Sequence, residues 1–268
     1  MTPDRTEDQT AARLLALWGS GGQTTDLAVP DMAAARRIAG RIRDARLAQG
    51  DRVAGRKIGF SNTRIWPIYG VDRPIWGHVW SSTRLDGTDP DPLADLTGLP
   101  EPRIEPEIVL SLWRAPEPGM DDAALLGCID AVAPGFEIVQ SVFPGWKVTA
   151  PGAAAAFGLH GRLIVGPWQP IGADRAGWGA RLRDFGVTLC KAGVAVETGH
   201  ARNVLGGPVQ ALRHLVQTLA AEDTPEPLRA GELVSTGTLT DAHPVAPGQA
   251  WSARFDGIAL PDLHLRFA

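Results

Sequence analysis

The apolar period of the chain changes once, near residue 50, and that change limits the folds open to it. In "EDQTAARLLALWGSGG", Ala12, Leu14, Leu15 and Trp18 recur at helical spacing, and the glycines from Gly19 to Gly22 stop the run. "VPDMAAARRIAGRIRDARLAQGD" opens at Asp31, a suitable N-cap, and closes at Gly50. Ala34, Ile38, Ile42 and Ala45 draw its apolar stripe, and the arginines mark the wet face. After residue 50 short strand-like runs take over. "RVAGRKIGF" is followed by a Pro- and Trp-rich stretch, "RIWPIYGVDRPIWGHVW". Further runs fall at 103–113, 136–142, 160–166, 183–190, 194–197, 233–236, 251–255 and 262–267, punctuated by Gly, Pro or Asp. "LCKAGVAVE" predicts a hairpin turning at Lys191 to Gly193. A later helix is expected in "GPVQALRHLVQTLAAE", and a shorter one from Asp121 to Leu126. The expected class is α+β: a small helical N-terminal region leading into a β-rich body.

Composition excludes several functions. With 26 Lys and Arg against 30 Asp and Glu, the net charge is −4, and no basic run offers a nucleic-acid groove. No apolar stretch approaches the ~20 residues of a membrane span. The polar, acidic "MTPDRTEDQT" is unlike a secretory signal. Cys128 and Cys190, without CxxC spacing, suit a reducing compartment. A cytoplasmic protein is expected.

Within "RIEPEIVLSL", residues 103–112, side chains alternate between two faces. Ile104, Pro106, Ile108 and Leu110 share one. Glu105, Glu107, Val109 and Ser111 share the other, where two neighbouring carboxylates repel each other. In "APGFEIVQS" a third, Glu137, stands between Phe136 and Ile138. Three carboxylates converging from two strands require a cation between them. An all-oxygen donor set suits a hard divalent ion, and no Cys/His cluster at zinc spacing competes. Solvated glutamates on an open strand face are the alternative reading of the pair taken alone.

Taken in order, "GRKIGFSN", "RIEPEIVLSL", "APGFEIVQS", "NVLGGPVQALRHL" and "LVSTGTLTDAHPVAPGQ" resemble the 2-keto-4-pentenoate hydratase and 4-oxalocrotonate decarboxylase group of the fumarylacetoacetate hydrolase superfamily. The resemblance runs from about residue 10 to the C-terminus. It implies a small N-terminal α/β region over 1–75 and a β-rich catalytic domain, with mixed sheets in a roll or sandwich, over 76–268. It implies a Mg²⁺ or Mn²⁺ site with Glu105, Glu107 and Glu137 as ligands, and a homo-oligomer with a place in aromatic-compound catabolism. The implied substrate is a small 2-keto or 2-hydroxydienoic acid. Such an acid chelates through a carboxylate and a keto oxygen, and its enolate is stabilised by the metal.

Lys57, in the family's G-x-K-I-G segment, is the expected proton carrier or carboxylate partner. Hydration is the implied outcome, with decarboxylation or C–C hydrolysis of an acylpyruvate as alternatives. A non-catalytic keto-acid-binding or assembly subunit is a third reading. Polar residues common in such hydratases are replaced by Ile75, Ala156 and Phe157. His160 is a candidate replacement acid or base, with a histidine bonded to backbone as the alternative. Thr236, Gly237 and Thr238 are candidates for binding the substrate carboxylate, or form a structural turn. Trp66, Trp76 and Trp80 wall an apolar pocket or pack in the core.

Overall fold

The computed structural model describes residues 3–63, 66–69, 71–89 and 91–268; Arg64, Ile65 and Gly70 of the Pro- and Trp-rich stretch lie outside them. Helices α1 (Pro3–Leu17) and α2 (Met32–Ala48) form as their spacing predicts. Asp31 caps α2 by accepting from the Ala34 N–H at 2.8 Å, and Ala34, Ile38 and Ile42 are buried. The chain continues through β1 (Val53–Gly59), α3 (Trp66–Tyr69), β2 (Ile75–Trp80), β3 (Arg84–Asp86), β4 (Leu93–Ala94) and β5 (Arg103–Leu112). Then come α4 (Asp122–Leu126), β6 (Ile129–Val139), α5 (Ala150–Ala155), β7 (His160–Val165), β8 (Gln169–Pro170) and α6 (Arg175–Arg181). The last part holds β9 (Gly186–Lys191), β10 (Val194–His200), α7 (Pro208–Ala220), β11 (Leu233–Ser235), β12 (His243–Pro244), β13 (Ala250–Asp256) and β14 (Leu263–Phe267).

Two mixed sheets form the body. The larger has the order β2-β1-β11-β5-β6-β7-β3, with β12 against β5 and β8 against β6; the smaller runs β10-β9-β13-β14-β4. The main apolar core joins Ile104, Ile108, Leu110, Phe136 and Ile138 of the larger sheet to Leu212 and Leu215 of α7 and to Trp251 and Leu265 of the smaller sheet. A second core, with Leu14, Ile38, Ile42, Ile75 and Phe157, seats the N-terminal helices. Strand β1 pairs with β11 inside the larger sheet, so the N-terminal segment supplies part of that sheet.

Of the elements that differ from the sequence reading, two bear on the site. Strand β6 begins at Ile129, seven residues before the run at 136–142, and stops at Val139. Pro134 and Gly135 look like punctuation, yet Ile108 pairs with Pro134 and Glu107 with Gly135, and the Pro134 carbonyl accepts from the Gly166 N–H at 2.9 Å. Ile75 to Trp80, part of the Pro- and Trp-rich stretch, is a fully buried strand. The hairpin falls where expected, with Ala192 and Gly193 left-handed at its tip and Lys191 paired to Val194.

On β2, Trp76, His78 and Trp80 point away from Gly77, and Gly77 pairs with Lys57. His78 lies between the two indoles, at centroid distances of 5.2 and 5.4 Å, with its Nε2 3.2 Å from Glu226. Burial holds His78 at about 4, against an ordinary 6.5. Burial alone would raise Glu226, but the hydrogen bond from His78 and the charges of Arg43 and Arg56 outweigh it and hold it at about 2. Between pH 6.5 and 4 the unfolded chain takes up a proton that folded His78 refuses, so stability falls as pH drops. Glu226 continues the loss from its ordinary 4.5 downward. We expect His78 to cost roughly 3 kcal/mol of stability across its window. His78→Gln, which keeps a donor and removes the titration, should flatten the thermal midpoint between pH 6.5 and 4.

Candidate active site

Register places the three glutamates. Glu105 lies directly opposite Glu137 across the β5–β6 pair, and Glu107 is one rung deeper, opposite Gly135. Their carboxylate oxygens converge to within 4.8 Å of one another. Glu107 and Glu137 are fully buried. Lys57 sits on β1, three strands from β6, a separation of about 14 Å in a flat sheet. The side chains meet over the face they share, with Lys57 Nζ 3.1 Å from Glu137 Oε2.

Burial, followed by the negative charges of Glu137 and Glu105, pushes Glu107 well above the usual carboxylate range. Glu105 rises to about 7: burial leads, the Lys57 charge opposes it, and Glu137 reinforces it. For Glu137 burial acts upward, but the Lys57 charge and the hydrogen bond from His160 bring it below the ordinary value. Burial alone would lower Lys57, and the three carboxylates together raise it, so Lys57 stays charged.

Glu107 Oε2 accepts from Ser235 Oγ at 2.5 Å and from the Gly237 N–H at 2.8 Å. Its Oε1 is buried without a hydrogen-bond partner among the described residues. An orphaned carboxylate oxygen facing two other carboxylates is a donor set that a hard cation satisfies. The residues present therefore fit a divalent metal.

Gly237 is required where it stands: its φ is +102°, and a Cβ there would come within 2.0 Å of Ser61 Oγ. The turn at 157–159 is unusual too. Phe157, Gly158 and Leu159 are all left-handed, and they present the Gly158 carbonyl to Lys57 Nζ at 3.0 Å. Gly77 makes room for that turn, since a Cβ on it would lie 2.4 Å from the Phe157 carbonyl oxygen.

Of the other candidates, His160 is fully buried behind Glu137, away from the cavity. Its Nδ1 is 2.8 Å from Glu137 Oε1 and its Nε2 2.8 Å from Thr83 Oγ1. A carboxylate only accepts, so Nδ1 carries the proton, and a neutral ring takes the Thr83 hydroxyl proton at Nε2. Burial lowers the His160 pKa, in keeping with that neutral form. Both ring nitrogens are therefore engaged within the protein, which makes His160 a partner of Glu137 where a direct acid or base toward substrate was expected.

Thr236 is also buried, its hydroxyl donating to the Ile108 carbonyl, whereas Thr238 lines the cavity. Trp76 packs on the far face of β2, in contact with a larger cavity of 760 Å³ where Arg36 is ion-paired with Glu222. The tryptophan that walls the site is Trp146.

The site cavity has a volume of about 460 Å³ and reaches Lys57 and Glu105. Ile58, Ile75, Val139 and Leu159 form its apolar wall, and Ser61, Asn62, Asn203 and Thr240 its polar one. Sequence reasoning missed Ser61 and Arg103, although both signals were present. Ser61 follows Lys57 in "GRKIGFSN", and Arg103 precedes Glu105 by the strand period of two.

The two-sheet body carries a three-carboxylate cage, and it is this pairing of fold and site that known proteins share. The chain is 32% identical over 234 residues to a 4-oxalocrotonate decarboxylase of Pseudomonas sp. strain CF600, covering 85% of this chain and 84% of that one. It is 30% identical over 218 residues to a 2-keto-4-pentenoate hydratase of Paraburkholderia xenovorans strain LB400, covering 80% and 76%. Among solved structures, 4-oxalocrotonate decarboxylase from Pseudomonas putida G7, complexed with magnesium and adipate, superposes with a TM-score of 0.87 at 24% identity, covering 100% of this chain and 99% of that one. No family model matches the chain. It belongs to the 2-keto-4-pentenoate hydratase and 4-oxalocrotonate decarboxylase family, a family of metal-dependent lyases. No helix among the described residues is long and apolar enough to cross a membrane.

Proposed function

We propose that the chain is a divalent-metal-dependent lyase that acts on a 2-keto or 2-hydroxydienoic acid through its enolate, with hydration as the outcome. The observation that carries this reading is the convergence of Glu105, Glu107 and Glu137, with an unsatisfied Glu107 oxygen, beside a charged Lys57. Glu105, Glu107 and Glu137 would hold Mg²⁺ or Mn²⁺, which would supply Lewis acidity to the keto-acid end of the substrate.

The chain's own groups do the rest. Lys57 Nζ gives one N–H to Gly158 and faces Glu137, which leaves a proton for the cavity it lines. That proton stabilises oxyanion character on the substrate or is delivered to carbon. Ser61 Oγ, buried at the cavity wall and without a hydrogen-bond partner among the described residues, is placed to bond a substrate oxygen. The apolar wall excludes bulk water and strengthens these contacts.

His160 acts through Glu137. Removing its Nδ1–H leaves Glu137 Oε1 buried without that donor, and metal affinity should fall about 10- to 100-fold in His160→Phe. Calorimetric titration with Mn²⁺ checks this; unchanged affinity would refute the positioning role.

A second reading, decarboxylation, is favoured by Ile75 on the cavity wall and by Ala156 and Phe157 within the second apolar core, where family hydratases place polar groups. Loss of CO₂ needs no oriented water. One 2-hydroxydienoate substrate incubated with Mg²⁺ decides between the two: a hydrated product supports the first reading and released CO₂ the second. Absence of both with every keto acid tried would argue for a binding subunit. Assembly as a homo-oligomer is part of the same proposal, checked by light scattering.

A further inference from the structure

The turn at 157–159 is strained, so its surroundings must hold it. Phe157 and Leu159 are left-handed at φ +61° and +64°, a conformation that bulky residues keep only where neighbours over-determine it. On one side β2 admits the turn: a Cβ on Gly158 would lie 3.1 Å from the Gly77 Cα, so two bare glycines face each other. On another the N-terminal region touches it. The Trp18 indole meets the Phe157 ring edge-on, with centroids 4.1 Å apart. Trp18 is itself pinned. The buried Arg46 guanidinium lies 4.6 Å from both the Trp18 and the Trp80 rings. Arg46 is tied in turn to Asp51 at 2.6 Å and to Ser82 at 3.0 Å. Trp80 is fully buried in β2, so this sandwich fastens the end of α1 to the larger sheet.

The carbonyl of the turn acts on the site. Three carboxylates attract the Lys57 ammonium, while the Gly158 carbonyl, 3.0 Å away, turns one of its N–H bonds toward the turn. A second N–H faces Glu137 Oε2 at 3.1 Å, and tetrahedral geometry then fixes the direction of the third. An ammonium without that carbonyl rotates about its last bond and holds no single direction.

We propose that Trp18 is a positioning residue for Lys57: through Phe157 it holds the left-handed turn whose Gly158 carbonyl aims the amine into the site cavity. The proposal rests on the reading of Lys57 as the proton carrier, and it applies equally to hydration and to decarboxylation. It gives the helical N-terminal region a part in the chemistry without contact with substrate.

Lys57 can be observed directly, because the chain has only three lysines and neither Lys147 nor Lys191 is buried. In protein labelled with ¹⁵N-lysine, the Lys57 ammonium should give one exchange-protected resonance. Trp18→Leu, which keeps apolar bulk but loses the ring, should speed its proton exchange at least about tenfold. Trp18→Phe should restore most of the protection. Phe157→Leu breaks the same contact from the other side and decides the matter if Trp18→Leu does not fold. Absence of a protected resonance in the wild type, or unchanged exchange in a folded variant, overturns the positioning role.

Kinetics with a 2-hydroxydienoate and Mg²⁺ give a second readout. Trp18→Leu should lower kcat about 10- to 100-fold with KM nearly unchanged, and should cost nothing further in the Lys57→Met background. Wild-type kcat in Trp18→Leu, or a loss that adds to that of Lys57→Met, refutes the positioning role alone. Full turnover in Lys57→Met refutes the reading of Lys57 and the proposal with it.

Discussion

Glu107→Gln should abolish divalent-metal binding, with affinity falling more than about 100-fold, because it removes the proposed ligand that couples the cage to β11. Glu107 holds Ser235 and the Gly237 N–H on one oxygen and offers the other to the cage. An amide retains the shape but neither the charge nor two acceptor atoms. The same change should raise the thermal midpoint of the metal-free protein. Burial and two neighbouring carboxylates make an ionised Glu107 costly there, and a neutral side chain relieves both. A variant that melts higher without metal and gains nothing from added Mn²⁺ has lost a site, not its fold. Retained Mn²⁺ binding in the variant would refute the assignment.

Lys57→Met separates binding from chemistry. The lysine neutralises Glu137 from 3.1 Å, so its removal leaves more negative charge facing the cage, and metal affinity should hold or rise. Turnover should fall by roughly 10²- to 10⁴-fold, the usual worth of a positioned proton donor. Metal titration and steady-state rates on one preparation read both quantities. Weakened metal binding with proportionate loss of rate would instead make Lys57 a structural counter-ion.

Much of this site could be read in the linear chain, for a definite reason. The period of two sets Glu105 and Glu107 on one face of β5 in any strand that residues 103–112 form, and Glu137 stands out as a charge among apolar neighbours. The direct opposition of Glu105 and Glu137 is a matter of register, and the approach of Lys57 depends on the order of the strands between them; neither is a local property. Strand β6 was hidden at its start because Pro134 and Gly135 mark turns in most contexts, and pairing to β5 overrides that preference. His160 was conspicuous as a titratable residue, but its depth behind Glu137 follows from the bulge where β6 meets β7 at Val139. The tryptophans of residues 66–80 drew attention by number, while a single Trp146, locked by a left-handed backbone, forms the cavity wall.

The strand order of the larger sheet has a kinetic consequence. Lys57, Glu105, Glu137, Gly158 and Gly237 span 180 residues of chain and meet only after β1, β11, β5 and β6 have closed into one surface. Such long-range pairings are completed late in folding. A nascent or proteolysed chain thus carries the acidic segment without the cage. Metal capture becomes a mark of the finished molecule, and an ion bound only by the native state holds the closed sheet against reopening.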